Sequence, residues 1–442
     1  MAVIYGRRRI GKSTLISEFI KGKRSIFYTS SKIGAQGNLD RFSEQVLDAF
    51  DSYVSGYHPD SLEAVLDLIT RNLSNDKLIL VIDELPYWAD KDESILSIFQ
   101  KYIDTEWKDK SLMLILCGSA LSFMENKVLS EKSPLFGRRD NQIKLEPFDY
   151  KEASLFVPLY SNEDKAITYA ITGGVAKYLS LIEPTDSLDD NIKRLFFNKN
   201  GYLYEETTNY LLQEFSDTSI VNKIIEQIAN GENSVNIIAS KVGESESNVI
   251  YFLDKLVNVG LVEKRRCMTE ESNKKKTQYI LKDQMFKFWY TFIPKALSVI
   301  ETNKGDVFYD LYVKPRLHSF MGSVFEVICR TFVMEQGLLS KTGIFVTSTG
   351  SWWGIDNQAK QTADIDVVAV SEIDKSCIIG ECKFKNEAID INVYETLKRR
   401  ASLISKQYQV KFIVIFSLRG FKENLINLKD NKKILISIDD LF

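Results

Sequence analysis

The chain has 442 residues, room for roughly three domains at about 150 residues each. Its composition, 44% hydrophobic and 26% charged, describes an ordinary globular protein, and the net charge of −3 excludes a globally basic nucleic-acid binder, so any such surface is a local patch. Five cysteines (Cys117, Cys267, Cys329, Cys377, Cys382) lack C-x-x-C pairing, which suits a reducing cytoplasm, and two distant histidines (His58, His318) exclude histidine metal sites and Ser-His-Asp catalysis.

In chain order, Ala2-Val-Ile-Tyr5 predicts a short buried strand. Gly6-Arg7-Arg8-Arg9-Ile10-Gly11-Lys12-Ser13 then fits G-x-x-x-x-G-K-[ST], and Thr14–Ile20 reads as an amphipathic helix. Glycines let such a loop curl so that successive N–H groups point at phosphate oxygens. Lys12 is expected on the β- and γ-phosphates and Ser13 on Mg²⁺, with the helix N-terminus at Thr14 adding positive potential. The apolar start is too short for a signal peptide, and no stretch approaches the ~18 apolar residues of a membrane span.

Lys77-Leu-Ile-Leu-Val-Ile-Asp83-Glu84 is a buried parallel strand ending in two acids. Asp83 is expected to hold Mg²⁺ and Glu84 to polarise the attacking water. A second such strand ends at Cys117-Gly118-Ser119. Ser119 is a candidate sensor of the γ-phosphate, and also a candidate helix N-cap. Gly137-Arg138-Arg139 precedes a strand at Gln142–Leu145. Arg138 is a candidate arginine finger, with a surface ion pair as the alternative.

YGRRRIGKSTL, VIDELPYW, CGSALSFM, SPLFGRR and ITGGVAKYL, in this order, resemble the archaeal-type ATPase family, in the STAND-like branch of AAA+ P-loop proteins. The resemblance implies a five-stranded parallel sheet at 1–147, binding ATP and Mg²⁺. It also implies a helical lid at 148–205 in which Gly173-Gly174 closes over the nucleotide. Members of that family usually carry a helix and an adenine motif ahead of the first strand. Either the coding start lies upstream of Met1, or the adenine pocket is built differently.

Between 206 and 293, helix patterns at Ser219–Ala229, Val235–Gly243 and Ser247–Gly260 precede strands at Leu261–Arg266 and Thr277–Leu281, the order of a winged helix-turn-helix. The wing, Lys264-Arg265-Arg266 to Lys274-Lys275-Lys276, holds six basic and two acidic residues, a candidate phosphate grip. Glu244 and Glu246 at the third helix disfavour base reading there. Packing as a regulatory arm is the alternative.

Residues 294–442 open on an irregular stretch to Met321, then a helix carrying Glu326. Two strands follow, with Asp364 and Asp366 on one and Glu381 and Lys383 on the next. Residues two apart share a face of a strand. Asp366 facing Glu381 across the hairpin would bring like charges together beside Glu326, a repulsion that Mg²⁺ or Mn²⁺ would relieve while supplying a nucleophilic water. Glu…Asp-x₁₄-Glu-x-Lys resembles the PD-(D/E)xK nuclease superfamily, as does the C-terminal domain of the archaeal-type ATPases. The resemblance implies Asp366 and Glu381 as metal ligands, Lys383 as the residue that positions or activates water, and Glu326 as support, with Asp364 a bystander.

The expected whole is an α/β multidomain ATP switch that contacts DNA and carries a nuclease-like domain, without a membrane, and with a protein partner or homo-oligomer if Arg138 acts in trans. A non-catalytic ATP-dependent regulator with an inactive nuclease fold is the alternative.

Overall fold

Five short apolar runs assemble into one parallel sheet. They are β1 (Ala2–Tyr5), β2 (Ser25–Thr29), β3 (Leu78–Asp83), β4 (Leu112–Gly118) and β5 (Asn141–Lys144), in the spatial order β2-β3-β4-β1-β5. β1 and β3 are buried at every residue, as strands covered on both faces must be. This order places β4 between the strand that precedes the glycine loop and the strand that ends in Asp83. The tips of three adjacent strands therefore share one edge. The computed structural model describes residues 1–51, 59–273, 276–356, 359–404 and 407–442, so His58 lies outside the described residues. The chain divides into two compact units, Met1–Pro147 and Phe148–Phe442.

The segments expected as lid, winged helix and nuclease-like domain all lie in the second unit and share one hydrophobic core. Phe196 meets Phe288 at 4.8 Å between ring centroids, Phe288 meets Phe320 at 5.5 Å, and Tyr150 meets Phe442 at 5.2 Å. Polar ties follow the same route: Lys151 pairs with Glu335 at 3.0 Å and Asn162 with Asp439 at 2.8 Å. Gly173 is the left-handed C-cap of α2 (Asn162–Thr172). The Gly173-Gly174 pair makes the turn into the next helix.

The winged-helix order is present: α3 (Ser219–Ala229), α4 (Val235–Val242), α5 (Glu246–Asn258), then β6 (Val262–Arg266) antiparallel to β7 (Thr277–Leu281). The aromatic run on α6 (Gln284–Phe292) is buried. The stretch expected to be irregular is helical instead. Short helices at Leu297–Glu301 and Gly305–Phe308 lead through π and 3₁₀ turns into α7 (Leu317–Met334), because Ile300, Tyr309 and Val313 recur at helical spacing and are buried. The run Gly305–Met334 is, by length and composition, long and apolar enough to cross a membrane, contrary to the expectation from sequence. Met321, Val324, Phe325 and Ile328 of this run are buried in the unit's own core, as in a core helix of a globular unit.

The second unit ends in a mixed sheet, β12-β11-β10-β9-β8, of β8 (Ser348–Asp356), β9 (Gln361–Ser371), β10 (Ser376–Lys383), β11 (Gln409–Ser417) and β12 (Lys433–Ser437). β9 runs antiparallel to both β8 and β10, and β10, β11 and β12 run parallel. One face joins the core with α7, and the other is covered by α8 (Ile391–Arg400).

Candidate nucleotide site and acidic centre

Gly6 (φ 153°) and Gly11 (φ 93°) bend the loop between β1 and α1 (Lys12–Ile20), with Arg9 left-handed at φ 70°. A Cβ on Gly6 would lie 2.3 Å from the Leu145 carbonyl oxygen, so only glycine fits there. Ile10 is buried and anchors the loop from beneath, while Thr14 is exposed at the helix start. Lys12 Nζ folds back onto the Gly6 and Arg7 carbonyls, 3.0 Å from each. Burial lowers its pKa, and Glu84, Cys117 and Asp83 oppose that shift. Ser13 Oγ donates to Asp83 Oδ2 at 2.6 Å, so the two residues expected on Mg²⁺ touch each other. Such a hydroxyl–carboxylate oxygen pair suits that cation.

Glu84 stands just past β3 with φ 50°, an uncommon conformation for a side chain of this type. Its Oε2 accepts the Ser119 hydroxyl at 2.7 Å. Ser119 is therefore not a helix cap; that position belongs to Ala120. Arg8 donates to the Tyr87 hydroxyl at 2.6 Å, and Arg7 is buried in the loop. Sequence reading missed Tyr87, which lies within VIDELPYW and also has Lys32 over its ring at 5.4 Å. Arg138 does not join this cluster. It makes a two-pronged bond to Asp104, 2.7 Å on each prong, and donates to the Pro134 and Phe136 carbonyls. That pairing raises the Arg138 pKa and lowers that of Asp104, as the ion-pair alternative requires. Arg139 donates to the Leu129 carbonyl at 3.0 Å.

In the second unit, β9 and β10 pair through Val367↔Gly380, and the next residues along are Asp366 and Glu381. Asp366 Oδ2 accepts the Cys382 N–H at 2.8 Å, where the ladder gives out. Asp366 is 9% exposed. Burial, then Glu381 and Glu326, push its carboxyl up to about 8. Lys383 Nζ bonds Glu381 Oε1 at 2.5 Å; burial works against its charge, but Glu381 and Asp366 keep its pKa raised. Glu326, on α7, is bound by Arg330 at 3.1 Å. The same guanidinium donates to the Asp366 carbonyl at 2.7 Å. The four expected residues thus gather at one place. Asp364 is exposed, with Arg400 donating to its carbonyl. Arg330 was legible as the i+4 partner of Glu326 on a helix. Lys287 of α6, bonded to Ser323 and lowered by burial to about 8 beside Glu326, had no such signal.

The wing corrects a sequence expectation. Lys264 and Arg266 are exposed, but Arg265 turns inward over the Trp353 ring (5.2 Å) and donates to Gln278. Lys276 pairs with Glu270 at 2.8 Å and lies 5.0 Å from the Trp352 ring centroid. The Met268 N–H donates to the Ser351 carbonyl, and the Trp353 N–H to the Cys267 sulfur. The wing's apolar residues are buried against β8, and Arg265 and Lys276 lie over its two tryptophans instead of standing free in solvent. Lys274 and Lys275 lie outside the described residues.

Among the described residues, no group of three or more His, Cys, Asp or Glu is placed to hold a metal ion. At the acidic centre, Lys383 and Arg330 already engage two of the carboxylates. Mg²⁺ commonly takes only one or two protein carboxylates and completes its shell with water and substrate phosphate, and Asp366 with Glu381 meets that requirement.

Residues 1–182 match a family described as ATPase domains predominantly from Archaea. The N-terminal part of the chain has the parallel-sheet fold of a P-loop ATPase. Residues 218–264 match the arsR family of bacterial regulatory proteins, a helix-turn-helix family, and 289–399 match archaeal and bacterial proteins of unknown function. An uncharacterised protein of Methanocaldococcus jannaschii is 29% identical over 437 residues, 97% of this chain and 94% of that protein. A Walker-type ATPase of Pyrococcus abyssi is 17% identical, with TM-score 0.49 over 65% of this chain and 90% of its own. The ORC2 protein of Aeropyrum pernix, solved as ADPNP–ADP complexes, is 15% identical, with TM-score 0.45 over 68% of this chain and 88% of its own.

Proposed function

We propose that the chain is a STAND-like, ATP-driven switch acting on DNA, whose C-terminal sheet carries a metal-dependent nuclease-like centre at Asp366, Glu381 and Lys383. The observation that carries this reading is the gathering of those residues with Glu326, from two strands and a helix, at one half-buried place. Such a cluster is costly to bury and has no structural need.

ATP would be held by the N–H groups of Gly6–Ser13 and by Lys12, which must leave the Gly6 and Arg7 carbonyls to reach phosphate. Ser13 and Asp83 would hold Mg²⁺, and Glu84 would orient the attacking water. At the second centre, a divalent cation would supply Lewis-acid stabilisation and an activated water. Asp366 and Glu381 would hold it, and Lys383 would position the water. The helix-turn-helix segment would supply DNA contact, mostly through phosphates. Arg138 acts in trans only if it leaves Asp104, which a neighbouring copy or protein partner would have to induce. A cytoplasmic setting accords with the five buried free cysteines.

One observation favours a non-catalytic regulator: Lys383 and Arg330 already neutralise two of the acids. Cleavage of plasmid and linear DNA decides, with Mg²⁺ or Mn²⁺, with and without ATP. Cleavage that Asp366→Ala abolishes and Lys12→Ala alters is expected. ATP hydrolysis without cleavage under any condition would leave the regulator.

A further inference from the structure

A cleft of about 670 Å³ opens between the wing strands, α7 and β8. Its charged wall is built from Lys264, Arg265 and Arg266 on β6 and Arg330 on α7. Glu263, Glu271 and Glu335 also line it; Glu335 is tied to Lys151 and Glu271 accepts the Thr269 N–H, which leaves Glu263 against the four cations. Behind this wall stands Lys287, close enough to Arg265 and Arg330 for each to feel the others' charge, with Glu326 among them. The buried Nε of Arg265 reaches no acceptor. Three cations around Glu326, with Glu263 the further acid beside Arg265, leave a surplus of positive charge that an anion would relieve.

Arg330 also joins the cleft to the acidic centre. It lines the cleft, and its Nη1 bonds both Glu326 and the Asp366 carbonyl. The remaining wall mixes Met268, Ile280, Val327 and Met334 with Thr331 and Thr349, without an aromatic ring among the lining residues. It therefore offers charge for phosphates and no platform on which bases stack. The volume is that of a small-ligand site. It has room for a short length of one strand and not for a duplex.

We infer that this cleft takes the phosphate backbone of a single DNA strand and leads it to the acidic centre, with Lys264 and Arg266 gripping from the wing and Arg330 coupling grip to centre. The inference rests on the reading above that DNA is the partner, and it makes the docked wing a wall of the nuclease-like site. Sequence discrimination is weak, and the preferred substrate has a single-stranded tail or end.

The test is fluorescence anisotropy on the full chain, in chelator so that nothing is cut, with a tailed duplex, a blunt duplex, a single strand and RNA of the same length. The exposed pair Lys264→Glu/Arg266→Glu is expected to weaken binding of the tailed duplex by about tenfold or more. It should also flatten the salt dependence by about two phosphates. Arg330→Lys, which keeps the charge but not the fork, should retain most binding and lose cleavage. Lys255→Glu on α5 serves as the control. Unchanged affinity in the wing pair, or loss in Lys255→Glu alone, overturns the cleft and leaves DNA binding to α5. Preference for RNA or for the blunt duplex overturns the assignment to a single DNA strand. Cleft-dependent binding with no cleavage in Mg²⁺ or Mn²⁺ upholds the cleft and sinks the nuclease reading instead.

Discussion

Ser119 holds Glu84. Its hydroxyl donates to Oε2 at 2.7 Å and its backbone N–H reaches the same oxygen at 3.3 Å. A glutamate so engaged is not free to orient water. Ser119→Ala is therefore expected to raise basal ATP hydrolysis severalfold, whereas a pure γ-phosphate sensor would make the same change lower it. Glu84→Gln should reduce turnover by about 10²–10⁴-fold with ATP still bound, the range for losing a general base. Steady-state hydrolysis beside equilibrium nucleotide binding separates these outcomes.

Gly174 approaches Phe148 closely. A Cβ there would lie 1.9 Å from the Phe148 carbonyl oxygen, and φ is +69°. The backbone cannot move away without breaking the 2.9 Å bond from the Phe148 N–H to the Gly174 carbonyl. Gly174→Ala should cost about 3 kcal/mol or more in the second unit. At Gly173 (φ +60°) the added Cβ meets nothing closer than 3.4 Å. Gly173→Ala should cost about 1 kcal/mol, the left-handed penalty alone. Denaturant unfolding of both variants gives the comparison, and equal losses would contradict it.

The elements were largely legible where period and punctuation agree. β1, β3 and β4 are apolar runs, and α4 and α5 end at Val242 and Asn258, just short of the left-handed Gly243 and Gly260. Asp366, Glu381 and Lys383 could be placed because strands alternate and the turn between β9 and β10 is short. The docking of the wing was hidden, because charge counts treat Arg265 and Lys276 as solvated. Only tertiary contact shows them over Trp353 and Trp352. The partner of Arg138 was hidden for a related reason: Asp104 is distant in sequence. The helical path from Leu297 to Leu317 was missed because its α, π and 3₁₀ pieces are each only three to five residues long, too short for the helical spacing of their buried residues to stand out.

Glu270 fastens the wing. It accepts from Lys276 at 2.8 Å and from Trp352 Nε1 at 3.0 Å. Burial works against its charge, but those bonds lower its pKa overall. Glu270→Ala leaves a half-buried ammonium and an indole N–H without an acceptor, and is expected to cost about 1–3 kcal/mol. Limited proteolysis should then cut within the wing faster than in the parent chain. An unchanged melting temperature and cleavage pattern would show that the apolar contacts of Cys267 and Met268 suffice.

Asp366 sets a pH dependence whose sign is fixed. Its carboxyl titrates near 8 in the folded chain, raised by burial and by Glu381 and Glu326, against about 3.9 unfolded. Between those values the folded chain binds more protons than the unfolded one, so stability falls as pH rises from about 4 through 8. The contribution is whole below 4 and gone above 8. Asp366→Asn removes the titration. In chelator, its melting temperature should exceed that of the parent at pH 8 by more than at pH 5. Adding Mg²⁺ or Mn²⁺ at pH 8 should raise the parent and leave Asp366→Asn behind, because a cation binds the ionised carboxylates and not the amide. A melting difference that stays constant from pH 5 to 8 would mean that Asp366 is ionised throughout, held by Lys383 without need of a cation.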